Sequence, residues 1–189
     1  KKILKAFNTV PDTCIRVNTL KITTDAIKKQ LKLKNISVED IPYIQEGLSI
    51  KTGADTLFSE FLQTGLLYVQ TASSMIPAKV LGPDAGDHVL DMCAAPGSKT
   101  THIAALMGNR GSIDAWDVYP HKVKLIKDNA KRLGISIIHT EVRDSVKPLP
   151  FLYETYDKVL LDAPCSGLGV LGHKVELRWR RKESDLSVF

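Results

Sequence analysis

The sequence has few cysteines and no long apolar run. Three cysteines, at positions 14, 93 and 165, are too few and too scattered for a disulfide framework, and no C-x-x-C pair indicates zinc. No stretch approaches the roughly 20 apolar residues of a membrane span, and residues 1–12 lack the apolar region of a signal peptide. These absences predict a cytosolic protein with no metal site and no membrane anchor.

The first strand-to-helix loop lacks the usual nucleotide-binding motifs. Residues 92–98 contain neither G-x-G-x-x-G nor G-x-x-x-x-G-K-[ST], which disfavours NAD and ATP as ligands. Instead, residues 89–106 are VLDMCAAPGSKTTHIAAL: an apolar run that stops at Asp91, a small-residue loop and a helix start. Such a loop lets the backbone approach a ligand closely, and the helix start offers free N–H groups to an anionic group.

Acidic residues are scarce in the first 35 positions. That segment has nine lysines or arginines against two aspartates, a net charge of +7, whereas the remaining 17 basic and 19 acidic residues give −2. A second basic stretch, residues 173–182, has five lysines or arginines around Trp179. Basic patches attract polyanions, and an aromatic ring among arginines can stack on an unpaired base. The second stretch therefore favours nucleic acid, whereas residues 28–34 alone are better explained as a solvated helix face.

Residues 1–65 are predicted to form a small α+β module. Its predicted elements are a strand over 13–21, a helix over 24–34 capped by Thr23 or Thr24, and extended pieces over 37–51 with turns at Pro42 and Gly47. A further helix is predicted over 72–81, beyond the boundary.

Residues 66–189 are predicted to form a second domain in which strands and helices alternate. The pattern predicts strand 88–93, helix 98–107, strand 111–117, helix 120–134, strand 135–142 and strand 156–164. This order indicates an α/β fold with a parallel, doubly wound sheet, in which ligands gather at the carboxyl ends of the strands.

Aspartates stand at the ends of the three later strands. Asp117 ends the second strand, where it could accept hydrogen bonds from ribose hydroxyls; Asp144 follows the third and Asp162 the fourth. Taken singly, each is most simply a turn or helix-cap residue. Three of them beside a small-residue loop favour a nucleoside cofactor that bears amine and hydroxyl donors.

Two motifs carry a family resemblance. DMCAAPGSKT (91–100) and LLDAPCSGLGVL (160–171) resemble the cofactor loop and catalytic loop of the Nop2/Sun family of RNA cytosine-5 methyltransferases, and within it the bacterial enzymes that modify 16S ribosomal RNA. RVNTLK (16–21), YVQTASSM (68–75) and RWRRKESDL (178–186) are similar to further segments of that family. The resemblance implies a Rossmann-like methyltransferase sheet preceded by an RNA-recognition-like domain.

The resemblance implies S-adenosyl-L-methionine as the cofactor and ribosomal RNA as the partner of a monomeric protein. Asp117 would bind the ribose, Asp144 would lie near the adenine, and Asp162 would face both cofactor and target base. The lysines of the N-terminal module would hold the substrate strand. The methionine part of the cofactor would be surrounded by Cys93, Ala94, Ala95, Pro96, Gly97, Ser98 and Lys99.

The chemistry of this family requires a thiol and an acid. A cysteine thiolate adds to C6 of cytosine so that C5 can attack the methyl group, and an acid stabilises a proton on N3. By resemblance Asp162 is that acid, and Cys165 of the Pro-Cys pair assists product release. The nucleophile would be a later cysteine in a Thr-Cys pair, and no such pair follows Cys165. We therefore expect the sequence to be truncated before its final strands and to be inactive alone.

Several alternatives stay open. One is a different methyltransferase, directed at the amino group of adenine or at protein. Methyltransferases that act on exocyclic nitrogens resemble [DN]-P-P-[YFW] at this position, and Cys165 replaces the aromatic residue, which disfavours that class. A noncatalytic RNA-binding or ribosome-assembly factor could keep the same scaffold. Cys14 and Cys93 are most simply structural, with Cys93 acting through its backbone. Lys99 either is solvated or orients the cofactor or Asp162.

Overall fold

The computed structural model describes residues 12–52, 58–147, 150–165, 167, 176–180 and 182–187. Residues 13–162 form one compact unit, and residues from Ala163 onward belong to another. The larger unit contains two four-stranded sheets.

The first sheet is antiparallel. Its strands are β1 (Cys14–Val17), β2 (Ser37–Ile41), β3 (Ile44–Thr52) and β4 (Leu67–Val69), in the order β2-β3-β1-β4. Its helices are α1 (Thr24–Leu33) and α2 (Phe58–Gln63). Thr23 is the N-cap of α1, since its side chain accepts a hydrogen bond from the Ala26 N–H. Apolar side chains of the strands and α1 form the core, including Ile15, Val17, Ile27, Leu31 and Leu48.

The turn predicted at Gly47 is wrong. Gly47 lies inside β3, and a Cβ built there would approach Met75 Sδ to 3.1 Å. Met75 belongs to helix α3 (Ala72–Leu81), so the glycine makes room for this helix against the sheet. The hairpin turns at Pro42, as predicted, and at Tyr43.

The second sheet is parallel. Its strands are β5 (His88–Asp91), β6 (Ser112–Asp117), β7 (Ile138–Val142) and β8 (Lys158–Leu160), in the order β7-β6-β5-β8. Helix α4 (Ser98–Leu106) connects β5 to β6, and helix α5 (Pro120–Leu133) connects β6 to β7. The predicted α/β fold with a parallel sheet, preceded by an α+β module, is confirmed.

Helix α5 follows its sequence signals closely. It begins with Pro120 and ends before Gly134. The φ of Gly134 is +75°, a left-handed conformation that glycine adopts readily at the end of a helix. Val123, Ile126 and Ala130, predicted as its apolar side, are buried. Buried side chains on α5 and on the neighbouring strands fix this helix against the sheet.

The parallel direction brings the carboxyl ends of the four strands to one edge. Asp91 and Asp117 are the last residues of β5 and β6, whereas Asp144 and Asp162 each follow their strand by two residues. Because β5 lies between β6 and β8, the loop after β5 is flanked by the strand ends that carry Asp117 and Asp162.

The domain boundary at residues 65 and 66 stays a prediction. Strand β4 lies beyond that boundary and pairs with β1. In the other unit, the described residues include a four-residue helix, α6 (Leu177–Arg180), with Trp179 84% exposed.

Candidate functional site

Backbone hydrogen bonds fix the loop that follows β5, residues 92–97. The Met92 N–H donates to the carbonyl of Leu160 in β8 (3.0 Å), and the Ala94 N–H donates to that of Trp116 in β6 (2.8 Å). The loop is therefore tied to both strands that neighbour β5.

Gly97 allows α5 to pack closely against this loop. Its φ is +96°, and a Cβ built there would lie 3.2 Å from Ile126 Cα. From the same helix, Asn129 Nδ2 donates to the Pro96 carbonyl (2.9 Å). Gly97 thus lets helix and loop backbone approach each other, whereas the close approach of the loop to a ligand stays a prediction.

Asp91 is buried beneath the loop. Thr100 Oγ1 donates to its Oδ2 (2.7 Å), while its Oδ1 has no hydrogen-bond partner among the described residues. Burial raises the pKa of Asp91 to about 6, although the Thr100 hydroxyl, the Cys93 backbone N–H and Lys99 act to lower it. An unsatisfied buried acceptor costs roughly 1–3 kcal/mol. A ligand that donates a hydrogen bond here, such as an ammonium group, would remove that cost.

Asp117 retains the capacity to accept hydrogen bonds. It is 9% exposed at the end of β6, and its Oδ1 accepts from the Tyr119 N–H (3.1 Å). In the part of the chain that the structure describes, no group donates to Oδ2. This arrangement suits the hydroxyl donors expected of a ribose.

Asp144 stabilises its own turn. Its Oδ1 accepts from the Val146 N–H (3.1 Å), and Lys147 lies 3.9 Å from the carboxylate. Ser145 Oγ donates to the Met92 carbonyl (2.6 Å), which keeps this turn beside the loop after β5. A contact of Asp144 with an adenine stays a prediction.

Lys99 and Asp162 form an ion pair beside the loop. Lys99 is the second residue of α4, with its side chain 17% exposed, and that of Asp162 is 50% exposed. The contact favours the interpretation in which Lys99 orients Asp162 over that of a solvated lysine. Half of the Asp162 side chain remains open to an incoming group.

The three cysteines differ in exposure. Cys14 and Cys93 are partly buried, whereas Cys165 is exposed. Burial, together with the nearby carboxylates of Asp91, Asp117 and Asp162, raises the pKa of the Cys93 thiol, so this side chain is neutral near pH 7. A structural role for its side chain agrees with that protonation state.

The sequence patterns missed a buried polar cluster between the first sheet and α4. Burial lowers the pKa of His102. Burial alone would raise the pKa of Glu46. The 2.6 Å hydrogen bond with His102 Nε2 and the charge of Lys79 outweigh that effect and lower the pKa of Glu46 to about 2. The pair is therefore a carboxylate that accepts from a neutral imidazole. A charged residue inside the apolar strand CIRV was the available signal. The cluster consists of Arg16, Glu46, Gln70, Thr101 and His102.

The site fits the cofactor that the motifs imply. A loop backbone held close to α5, an unsatisfied buried carboxylate oxygen and an acid with spare acceptor capacity match amine and hydroxyl donors. Within the described ranges, no group of histidine, cysteine, aspartate or glutamate side chains could hold a metal ion. No helix in those ranges has the length and hydrophobicity to cross a membrane. The monomeric state stays a prediction.

Two family models match the chain. The model of the 16S rRNA methyltransferase RsmB/F matches residues 78–189, more than half of the sequence. A model of the ferredoxin-like domain of RsmF/B-like methyltransferases matches residues 1–56.

Curated relatives are similar over most of the chain. The probable ribosomal RNA small subunit methyltransferase B of Bacillus subtilis is 39% identical over 186 residues, 98% of this chain and 41% of the relative. The ribosomal RNA small subunit methyltransferase F of Erwinia tasmaniensis is 46% identical over 164 residues, 83% of this chain and 34% of the relative. The chain thus spans less than half the length of these relatives.

Solved structures share the fold. A methyltransferase homolog protein from Pyrococcus horikoshii has a TM-score of 0.84 at 34% identity, covering 99% of this chain and 59% of that one. NSun6 from Pyrococcus horikoshii, solved with SFG, has a TM-score of 0.78 at 26% identity, covering 88% and 67%.

Proposed function

The chain belongs to the 16S rRNA methyltransferase RsmB/F family, whose cofactor is S-adenosyl-L-methionine, and on this premise we propose that the protein methylates carbon 5 of a cytosine in RNA, with 16S ribosomal RNA as its substrate. Such a protein would act in the cytoplasm. The observation that carries the proposal is the Lys99–Asp162 pair, which sets a half-exposed carboxylate beside the loop after β5.

Cofactor binding would use groups at the strand-end edge. When bound, S-adenosylmethionine supplies an electrophilic methyl group on a sulfonium. The backbone of residues 93–97 would surround its methionine part, Asp91 Oδ1 would accept from its ammonium group, and Asp117 would accept from its ribose. The orphaned Asp91 oxygen and the unused Asp117 oxygen support this assignment.

Asp162 would act on the target base. Carbon 5 of cytosine is a poor nucleophile, and an acid that stabilises a proton on N3 helps the ring to accept a thiolate at C6. Lys99 holds the Asp162 carboxylate in place, and its exposure lets a base reach it. Cys165, also exposed, would assist product release. Single-stranded or splayed-out RNA offers the unstacked base that this chemistry requires.

RNA would contact basic surfaces. Lys29 and Lys32 are exposed on α1. Trp179, Arg180 and Lys182 are exposed in the unit to which the residues from Ala163 onward belong. Lysines neutralise phosphates, and an exposed indole can stack on a base.

Labelled methyl donor tests the proposed function. The full-length protein is incubated with 16S ribosomal RNA and the labelled donor. The RNA is then digested to nucleosides, which are separated by chromatography against authentic standards, because the isomers methylated at carbon 5 and at the exocyclic nitrogen have the same mass. Label in 5-methylcytosine supports the proposal, whereas label on another base or on an exocyclic nitrogen contradicts it.

A scaffold without catalysis would give a third result. The same protein would retain RNA on a filter, yet transfer no label. That outcome would replace the enzymatic proposal with an RNA-binding or assembly role, the alternative that the motifs leave open.

A further inference from the structure

Arg16 reaches out of the first sheet to the beginning of α4. Its Nη1 donates to the Ser98 carbonyl (2.6 Å) and to Gln70 Oε1 (2.8 Å), and its Nη2 donates to Thr101 Oγ1 (2.9 Å). The side chain is 2% exposed. A strand of the first sheet thus places a buried guanidinium against the first turn of the helix that follows the loop 92–97.

Thr101 extends this contact to the loop itself. Its Oγ1 donates to the Gly97 carbonyl (2.7 Å) while it accepts from Arg16. One hydroxyl therefore bridges the guanidinium and the glycine that lets α5 approach the loop. The other contact on this helix, the Ser98 carbonyl, belongs to the residue directly after Gly97.

Burying a guanidinium at this position costs free energy, and a residue that only filled space would not need the charge. A positive charge at a helix N-terminus opposes the helix dipole, and burial lowers the pKa of Arg16 to about 10. The Tyr68 ring, 5.1 Å from the guanidinium carbon, and the Glu46 carboxylate act in the opposite direction. An apolar side chain would fill the same position without the desolvation of a charge.

We propose that Arg16 is a positioning residue for the cofactor: it fixes the first turn of α4, and through that turn the loop at Gly97 and the direction of Lys99. This inference rests on the proposed function, since it takes residues 93–97 as the cofactor loop. It also links the first sheet, whose helix α1 carries lysines proposed to contact RNA, to the proposed methyl-donor site.

Asn18 offers a matched control two residues further along the chain. It is 3% exposed, and its Nδ2 donates to the carbonyls of Gly65 and Leu133, both at 2.8 Å. Like Arg16, it is a buried polar side chain that hydrogen-bonds to a helix connecting two strands of the second sheet. It does so at the last residue of α5 rather than at the first turn of α4.

Calorimetry with S-adenosylhomocysteine, combined with thermal melts, tests the proposal on this chain. Arg16→Met should weaken binding by about tenfold or more, about 1.4 kcal/mol, because the first turn of α4 and the loop at Gly97 would lose the guanidinium that holds them. Arg16→Lys should recover part of the affinity, since an ammonium can still reach one acceptor. Asn18→Ala should lower the melting temperature yet keep the affinity within about twofold of wild type, less than 0.5 kcal/mol.

Folded Arg16→Met that binds like wild type would overturn the positioning role. Should this variant fail to fold, Thr101→Val decides instead, because it removes the hydroxyl between Arg16 and Gly97; wild-type affinity would again overturn the role. If the wild-type chain does not bind S-adenosylhomocysteine, both the cofactor assignment and this inference are wrong. If the wild-type chain binds and the Arg16→Met substitution leaves the affinity unchanged, only the inference is wrong.

Discussion

The loop after β5 and the residues after β8 lie at the same edge of the sheet in opposite surroundings. Residues 92–97 are hydrogen-bonded to both neighbouring strands and backed by α5, with Ala94 buried. After β8, Leu161 and Asp162 are exposed. The comparison teaches that the proposed site for the methyl donor is preformed. The side proposed for the RNA is open, as a polymer substrate that enters and leaves requires.

Removal of the exposed acid should have the largest effect. Asp162→Ala in the full-length protein should lower methyl transfer by about 10²–10⁴-fold, the usual contribution of a positioned acid, and should spare RNA retention. Filter binding and label transfer measure the two quantities. Asp84→Ala is the control, since it removes a lysine partner at the other end of β8, where Lys158 Nζ lies 3.3 Å away. Unchanged methyl transfer by Asp162→Ala would refute the role.

Asp91→Asn should change the pH dependence of stability. Because burial raises the pKa of Asp91 from 3.8 to about 6, the folded protein keeps a proton that the unfolded chain loses, and the free energy of unfolding falls as pH rises through that range. At pH 8 the variant should be more stable by up to about 3 kcal/mol, and the difference should disappear below pH ~4. Urea unfolding measures this, with exposed Asp128→Asn as control. A difference independent of pH would contradict the buried-acid assignment.

Gly97→Ala should damage the packed loop. Its φ of +96° and the approach of a Cβ to Ile126 Cα together predict a cost of about 1–3 kcal/mol. We expect weaker binding of S-adenosylhomocysteine by calorimetry and a lower melting temperature. Gly86→Ala is matched in φ, at +103°, but its Cβ would meet no atom within 4 Å. If both variants bind equally well, close packing of the loop is irrelevant to the ligand.

Cys93→Ala should have the smallest effect. Because its thiol is neutral and its proposed contribution is through the backbone, affinity for S-adenosylhomocysteine should change by less than about threefold, under 0.7 kcal/mol. The same calorimetric titration measures it. A loss as large as that of Gly97→Ala would show that the side chain itself contacts the ligand.

Local signals predicted helices better than strands. The predicted helix over 72–81 matches α3, and Pro120 and Gly134 marked the limits of α5. Strand β1 ends at Val17, earlier than its β-branched pattern predicts, because Asn18 begins a turn that its carbonyl stabilises with the Lys21 N–H. The Asn18 side chain at this turn also donates to the carbonyls of Gly65 and Leu133, which lie far along the chain. No short window of sequence contains these partners.

The same distinction holds for the candidate site. Small residues in the loop and acids at strand ends could be found in the sequence because parallel strands bring their carboxyl ends together. The ion pair of Lys99 with Asp162 also needs β8 to lie beside β5. Glu46 and His102 are 56 residues apart and share no motif, so their pairing is set by the packing of α4 on the first sheet.

The chain's two tryptophans differ sharply in exposure: Trp116 is 5% exposed and its carbonyl holds Ala94, while Trp179 is 84% exposed. An aqueous quencher such as iodide should therefore suppress the emission of one indole first. The fluorescence that survives would come from Trp116, whose backbone carbonyl is hydrogen-bonded to the loop, so this residue offers an intrinsic optical probe beside the loop without an attached dye.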